Sequence, residues 1–531
     1  MSDPQQNSGE RRARLAVGVL LVLLAAGAAA FRLPRLGERP MHADEAVQAA
    51  RSRDLWLHGR YVYDPDEFHG PTLQYATLSS LWLSGPEDFA DTNEATYRVV
   101  PAVFGLGAIV LLWLLADALG KPAVVCAGVL LAISPAMVFY GRYYIHETLL
   151  VFFTLAAMGT AWRYLRSGRL RWCLIAGMCV GLMQATKETS LVAYFAAVIG
   201  LVATIFWSLL LREKDTGHRV SRPWWHLAAG LGMAVLVAVL LLSSFFTNMR
   251  GPVDGVLTYL PWFQRAAGNS PHVHPWHYYL QILAWWQLDD GQWWSAGIVL
   301  GLAAVGFVAA LLPKRFFLPD ASAPLVRWLG FYTLVLTATY SAVPYKTPWC
   351  LLQFLLGMIL LAGVGAVVLV RLVPTWPLKA VVALVLLAAV GQLGWQSYRT
   401  NYVLAADESN PYVYVPTRAK FKELAELVQA LDEAWSDRGD FSVTVVWHDP
   451  YYWPLPWYLR RWGPIRRWDH LADGPAPAVV VASAQCNQEL FQRLQGTHQM
   501  PGFYEMRRNV FVVIWVRKDV WQAHLRKLGR L

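Results

Sequence analysis

The feature that most constrains this chain is a succession of apolar runs, each close to the ~20 residues a helix needs to cross the hydrocarbon core of a bilayer. Candidate spans lie at 15–31, 99–118, 122–140, 148–165, 172–186, 189–211, 227–246, 295–312, 324–343, 349–370 and 380–397, about eleven in all. Only 15% of the 531 residues are charged, against about a quarter in a soluble protein. The short apolar segment 72–83 reads as an interfacial or re-entrant helix. Residues 11–31 also fit a signal peptide, with Ala28-Ala29-Ala30 as a small-residue exit. A retained helix gives the later spans a consistent start.

Basic residues set the expected orientation. Arg11, Arg12 and Arg14 precede the first run. Every second connection after it is basic and nearly free of acid: Lys121; Arg166, Arg169 and Arg171; Arg212, Lys214, Arg219 and Arg222; Lys314 and Arg315; Arg371 and Lys379. This places the N-terminus and those loops in the cytoplasm. The same arrangement explains the net charge of +10 without invoking nucleic acid. The expected location is the inner membrane, with the C-terminal region periplasmic. The five cysteines (Cys126, Cys173, Cys179, Cys350 and Cys486) suggest no disulfide framework and no metal pattern.

Two units follow: a membrane domain, 1–397, with long outer loops at 32–98 and 247–294, and a soluble unit, 398–531. In the latter, Thr417 is positioned to cap a helix running to about 435, with Leu424, Leu427 and Leu431 on one face. Residues 442–447, 477–483 and 510–516 read as strands and 487–495 as a helix. The alternation predicts a small α/β domain.

The chemistry-bearing residues fall on the expected outer side. His42-Ala43-Asp44-Glu45 opens the first outer loop. An acidic pair at a membrane surface can remove a hydroxyl proton or hold a divalent metal, or can simply be a solvated acidic loop. The loop continues Asp64-Pro65-Asp66-Glu67-Phe68-His69-Gly70-Pro71, a shaped turn that offers Glu67 and His69 to a pocket. Arg142-Tyr143-Tyr144-Ile145-His146-Glu147 joins the third and fourth spans. Arg142 suits phosphate oxygens, or equally an ion pair with Glu147 that ties two helices together. Thr186-Lys187-Glu188-Thr189 puts a second charged pair at the rim, where Lys187 is either a phosphate contact or a snorkelling cation. His272, His274 and His277 could hold a metal, although their spacing matches no helical zinc motif and packing against aromatic rings is the plain alternative. Tyr345-Lys346-Thr347-Pro348-Trp349 adds a further cation at the same level.

Acids, cations and aromatics from separate loops at one interface suit a substrate with its phosphate among the headgroups and its tail in lipid. A lipid-phosphate sugar is such a substrate. Its phosphate is the leaving group, and cations stabilise the charge it develops.

At these residues the chain resembles the polyprenyl-phosphate-dependent glycosyltransferases of the GT-C fold, which include the protein O-mannosyltransferases and the aminoarabinose transferases of lipid A. The motifs His42-Ala43-Asp44-Glu45, Tyr143-Tyr144-Ile145-His146-Glu147, Thr186-Lys187-Glu188-Thr189, Tyr345-Lys346-Thr347-Pro348-Trp349 and Tyr452-Trp453-Pro454-Leu455-Pro456-Trp457-Tyr458-Leu459-Arg460 are similar, more closely, to a membrane family labelled flippase-activity-associated. The resemblance implies a GT-C-like helical membrane domain with an extracytoplasmic α/β domain. It implies that Asp44, with Glu45, activates the acceptor, and that Arg142, Lys187 and Lys346 bind donor phosphate. His42, Glu67, His69, Tyr143, His146, Glu147, Glu188 and Tyr345 then line the pocket. Some relatives use a divalent metal and others none; here Glu147, His146, His274 and His277 are the candidate ligands. The expected partners are a polyprenyl-phosphate sugar, membrane lipid and a protein, lipid or glycan acceptor. The expected activity is sugar transfer to a hydroxyl on the outer face. The alternatives are a flippase or flippase-associated protein for lipid-linked sugars, and a scaffold whose outer domain recruits partners.

Overall fold

The computed structural model describes residues 4–65, 69–213, 223–267, 272–313, 321–436, 439–448, 451–463, 467–471, 474 and 477–530. Glu67, Lys214, Arg219, Arg222, Lys314 and Arg315 lie outside the described residues. Seven described helices are long and apolar enough to cross a membrane: Arg12–Arg32, Glu94–Leu119, Glu147–Ser167, Ser190–Leu210, Trp224–Leu242, Pro348–Leu372 and Trp376–Val403. The chain is a multi-pass membrane protein. Three further expected spans correspond to the shorter apolar helices Lys121–Ile133, Leu170–Gln184 and Gly297–Leu311, and a fourth to Ala323–Ala342. The run 122–140 is not one helix. Ser134, extended ahead of Pro135, separates Lys121–Ile133 from Pro135–Tyr140, because a residue before proline disfavours the helical conformation.

Pro348–Leu372 is the central helix, with 83% of its apolar window buried, whereas Trp376–Val403 is peripheral at 6%. Small residues allow the close approaches. A side chain at Gly365 would overlap the Leu302 carbonyl, and one at Gly306 the Leu361 carbonyl, so Gly297–Leu311 and Pro348–Leu372 meet backbone to backbone.

The bundle has two chemically different ends. At one, Arg14 lies over Trp113, Arg163 pairs with Asp117 at 2.8 Å, and Arg327 pairs with Glu213 at 3.1 Å. The two long loops and the C-terminal domain gather at the other. There Ala43–His58, a helix the sequence reading does not anticipate, packs beside Thr72–Ser84 through the Gln48–Gln74 hydrogen bond and through the Tyr144 hydroxyl, which bridges Ser52 and Thr77. The 72–83 segment is indeed a short helix, and its end exposes Trp82 and Leu83.

The C-terminal domain carries a five-stranded sheet in the order β2-β1-β3-β5-β4. The strands are β1 (Val443–Val446), β2 (Arg467–Trp468), β3 (Val479–Ser483), β4 (His498–Arg507) and β5 (Val510–Arg517). β1 runs parallel to β2 and β3, while β5 is antiparallel to both β3 and β4. β3 is buried along its whole length. Helix Lys422–Trp435 buries Leu424, Val428, Leu431 and Trp435, and a terminal helix, Lys518–Lys527, packs against it. The three expected strands and the helix Asn487–Leu494 are present. β2, β4 and the terminal helix are additional. Thr417 does not cap the Lys422–Trp435 helix; its hydroxyl donates to the Met41 carbonyl in the first long loop, at 2.8 Å.

Candidate active site

His42 caps the Ala43–His58 helix. Its Nδ1 accepts from the Asp44 amide, and the Glu45 carboxylate accepts in return from the His42 amide. This reciprocal capping fixes the first turn and sends the two neighbouring acids in opposite directions. Glu45 is fully buried. Its oxygens receive Arg98 Nε and Nη2, each at 2.7 Å, Arg39 Nη2 at 3.1 Å and the Tyr144 amide at 2.9 Å. Burial pushes its pKa up, but Arg98 and Arg39 outweigh burial and hold the carboxyl at about 2. Glu45 is a saturated structural anion.

Asp44 points the other way. It is exposed, and its carboxylate makes no hydrogen bond or ion pair among the described residues. It lies within electrostatic reach of His42, Tyr143, His272 and Tyr414. Beside it opens a cavity lined by Arg39, His42, Phe139, Tyr143, Tyr414 and Thr417, among others. The Arg39 guanidinium sits 4.1 Å from the Tyr143 ring centroid, and His42 lies 5.5 Å from the same ring. Burial lowers the His42 pKa, which favours the neutral ring.

Lys346 reaches this neighbourhood from the far side. Val273 and Tyr345 form a β-bridge, and the Lys346 amide donates to the His272 carbonyl at 2.9 Å. The buried Lys346 ammonium donates to the Val343 and His274 carbonyls. No carboxylate pairs with it among the described residues, and burial lowers its pKa. His272 bonds the Tyr414 hydroxyl and meets Tyr345 edge-on at 5.3 Å. His274 stacks on Tyr278 at 4.1 Å, and its Nε2 is buried without a hydrogen-bond partner. His277 is exposed beside Trp276.

A second cluster lies nearby. Lys187 and Glu147 form a buried ion pair through Glu147 Oε1, while Oε2 has no hydrogen-bond partner. Burial would depress the Lys187 pKa, but Glu147 outweighs it and holds the ammonium charged. Glu188 accepts from His69 Nδ1 at 2.7 Å and from the Tyr63 hydroxyl at 2.8 Å. Burial raises its pKa, but His69 more than offsets this and the net shift is downward. His69 stacks on Trp262 at 5.2 Å and stands edge-on to His146 at the same distance. His146 Nε2 donates to the Gly70 carbonyl at 3.0 Å; burial first, then His69 and Lys187, lowers its pKa well below the usual value. The segment after Lys346 links the clusters, since Trp349 is 6.1 Å from His42 and Cys350 is within electrostatic reach of Lys187 and Glu147.

Arg142 lies apart from both clusters in what it binds. Its Nη1 donates to the carbonyls of Arg32 at 3.0 Å and Pro34 at 2.7 Å, and its guanidinium covers the Tyr402 ring. It closes the C-terminal end of the first helix, whose last carbonyls have no intrahelical partner. Among the described residues, no three His, Cys, Asp or Glu side chains converge as metal ligands. His146 and Glu147 belong to the Lys187 cluster, and His274 to the Lys346 side.

Across 94% of this chain, the fold superposes on ArnT from Cupriavidus metallidurans. For the undecaprenyl phosphate-bound structure, 98% of that chain is covered at 14% identity with a TM-score of 0.60, and for the apo state the TM-score is 0.62. The signature of the dolichyl-phosphate-mannose-protein mannosyltransferase family matches residues 72–249. The chain has the fold of ArnT. The apo oligosaccharyltransferase of Archaeoglobus fulgidus shares this fold at a TM-score of 0.52 and 14% identity, over 86% of this chain and 64% of that one. No curated protein matches the sequence. The mannosyltransferase signature covers the Tyr143–Glu147 and Lys187–Glu188 motifs but begins after Asp44.

Sequence reasoning misses Arg39, Arg98, Tyr63, Trp262 and Tyr414, and singles out Tyr458 only within the 452–460 motif, without a role. Arg98 had a legible signal: an arginine opening an apolar run at the membrane edge requires an anion. The aromatic side chains carry no such mark, because their positions depend on packing between distant loops.

Proposed function

We propose that this chain transfers a sugar from a polyprenyl-phosphate donor to a hydroxyl acceptor at the outer face of the inner membrane, with the N-terminus cytoplasmic and the sheet domain periplasmic. One observation carries the reading. Of the acids described in the two clusters, Glu45, Glu147 and Glu188 are engaged by Arg98, Lys187 and His69, and among these described residues only Asp44 presents an unengaged carboxylate to solvent. The ArnT chain that shares this fold binds undecaprenyl phosphate, a lipid of the donor class.

Asp44 takes the proton of the acceptor hydroxyl as its oxygen attacks the anomeric carbon. The bond from that carbon to the phosphate oxygen breaks, and its electron pair leaves on the lipid phosphate. A single base with no enzymic nucleophile gives inversion at the anomeric centre. Lys346, buried and without a carboxylate partner among the described residues, is the cation best placed to meet the departing phosphate. The Lys187–Glu147 pair is internally neutralised, and Arg142 is committed to backbone carbonyls. Both, like Glu45, hold the frame. His42 and Tyr143 line the acceptor side, and Tyr345 the Lys346 side.

The test is release of labelled sugar from a polyprenyl-phosphate donor by purified protein in liposomes, comparing wild type with Asp44→Asn. The variant should insert and fold normally, and its transfer should fall by at least ~10²-fold, the lower range for a general base. Full transfer by Asp44→Asn would refute the assignment. Donor movement across the bilayer without sugar release would support the flippase alternative instead.

A further inference from the structure

The loop that carries Asp44 is held from the far end of the chain. Met41 is fully buried, and both of its backbone polar groups are bound by the sheet domain. Its amide donates to the Tyr458 hydroxyl at 3.0 Å, and its carbonyl accepts from the Thr417 hydroxyl at 2.8 Å. Tyr458 and Thr417 are themselves buried, and the Tyr458 ring is fixed edge-on against Phe421 at 5.4 Å. Lys422 adds a bond to the Gly37 carbonyl at 2.9 Å. Trp457, next to Tyr458, meets Phe89 and Tyr97 edge-on, and Arg460 donates to the Thr92 carbonyl. The aromatic motif 452–460 is thus the seam between the domain and the first long loop.

Met41 immediately precedes the cap residue His42, and Asp44 stands two residues beyond that. Any rotation of the Met41–His42 peptide passes through the capping bonds of His42 to the helix turn that aims Asp44. We propose that Tyr458 and Thr417 are positioning residues, through which the sheet domain sets the place of the Asp44 carboxylate. The proposal rests on Asp44 being the base. A base must be held within a fraction of an ångström of its proton, and displacement by about 1 Å can cost ~10²-fold in rate. A domain docked only for stability would affect folding without separating kcat from KM.

The experiment compares Tyr458→Phe, Thr417→Val, their combination and Thr417→Ser, using full-length protein. The readouts are kcat and KM for a polyprenyl-phosphate sugar, the thermal midpoint, and amide exchange of residues 38–47. The double variant should lose between about tenfold and a hundredfold in kcat, with KM within about twofold and faster exchange at Met41–Glu45. Thr417→Ser should keep wild-type kcat. An unchanged kcat in the folded double variant overturns the proposal. So does a kcat that falls only in step with the folded fraction. If the double variant does not fold, Thr417→Val against Thr417→Ser decides by the same criteria. An active Asp44→Asn control would sink the reading of the base while leaving the exchange result to judge the clamp.

Discussion

Replacing Arg98 by Met should destabilise the membrane domain more than any change at Asp44, although the two acids it discriminates are neighbours. Arg98 and Glu45 are both buried, joined by two bonds of 2.7 Å. Breaking a buried pair typically costs about 3–5 kcal/mol, an upper bound here because Arg39 stays beside Glu45 at 3.1 Å. A second route bounds the size. The Glu45 carboxyl is held at about 2 instead of its ordinary 4.5, which corresponds to roughly 3 kcal/mol of folding free energy shared among Arg98, Arg39 and the Tyr144 amide. The sign follows from the direction of the shift. A depressed folded-state pKa gives stability that is fully present above pH 4.5 and fades as the pH falls toward 2. The wild-type protein in detergent should therefore lose thermal stability between about pH 5 and pH 3. Arg98→Met should be several degrees less stable at pH 7 and show a flatter dependence over that interval. The combination Arg98→Met/Glu45→Gln should recover part of the loss, because a neutral amide is less costly to bury than an unpaired carboxylate. Thermal unfolding followed by tryptophan fluorescence across pH 3–8 provides the measurement. An Arg98→Met variant within about 1 kcal/mol of wild type at pH 7 would refute Arg98 as the principal partner of the Glu45 anion.

Other outcomes are equally specific. Lys187→Met should strand Glu147 and cost about 3–5 kcal/mol, whereas Lys187→Met/Glu147→Gln should regain much of that stability; equal melting of the single and double variants would remove the pair's structural role. Gly70→Ala would drive a methyl into the Ala185 carbonyl, disturbing the His69 and His146 contacts. Lower stability and weaker transfer are expected, and wild-type behaviour in both assays would show that the loop yields. Tyr63→Phe should cost about 1.5–3 kcal/mol, the usual worth of a hydrogen bond to a charged group, measured by the same unfolding assay.

The expected spans show where local pattern suffices and where it fails. Hydrophobic length is written in consecutive residues, so the helices Arg12–Arg32, Ser190–Leu210 and Trp224–Leu242 are legible directly. The break at Ser134-Pro135 is also local, yet the apolar run masks it. The short helices Leu170–Gln184 and Gly297–Leu311 owe their place to tight backbone contacts with partners. In the sheet domain, strands whose residues are buried on both faces announce themselves, as β3 does. β4, half-exposed and interrupted by Pro501 and Gly502, does not.

By itself the sequence determined that the chain is a multi-pass membrane protein with a second, less apolar unit, and which loops carry acids and cations. Those properties follow from composition over a span of neighbours. Only the tertiary structure decided how the ionisable groups pair. Glu45 meets Arg98 across 53 residues and Lys187 meets Glu147 across 40. Arg142 turned to the carbonyls that end the first helix, and Tyr458 bound Met41 across 417 residues. A buried charge must find a counter-charge or a set of dipoles, and packing supplies that partner from anywhere in the chain. Asp44 stands out as an unengaged carboxylate among the described residues of the two clusters only after the others have been paired.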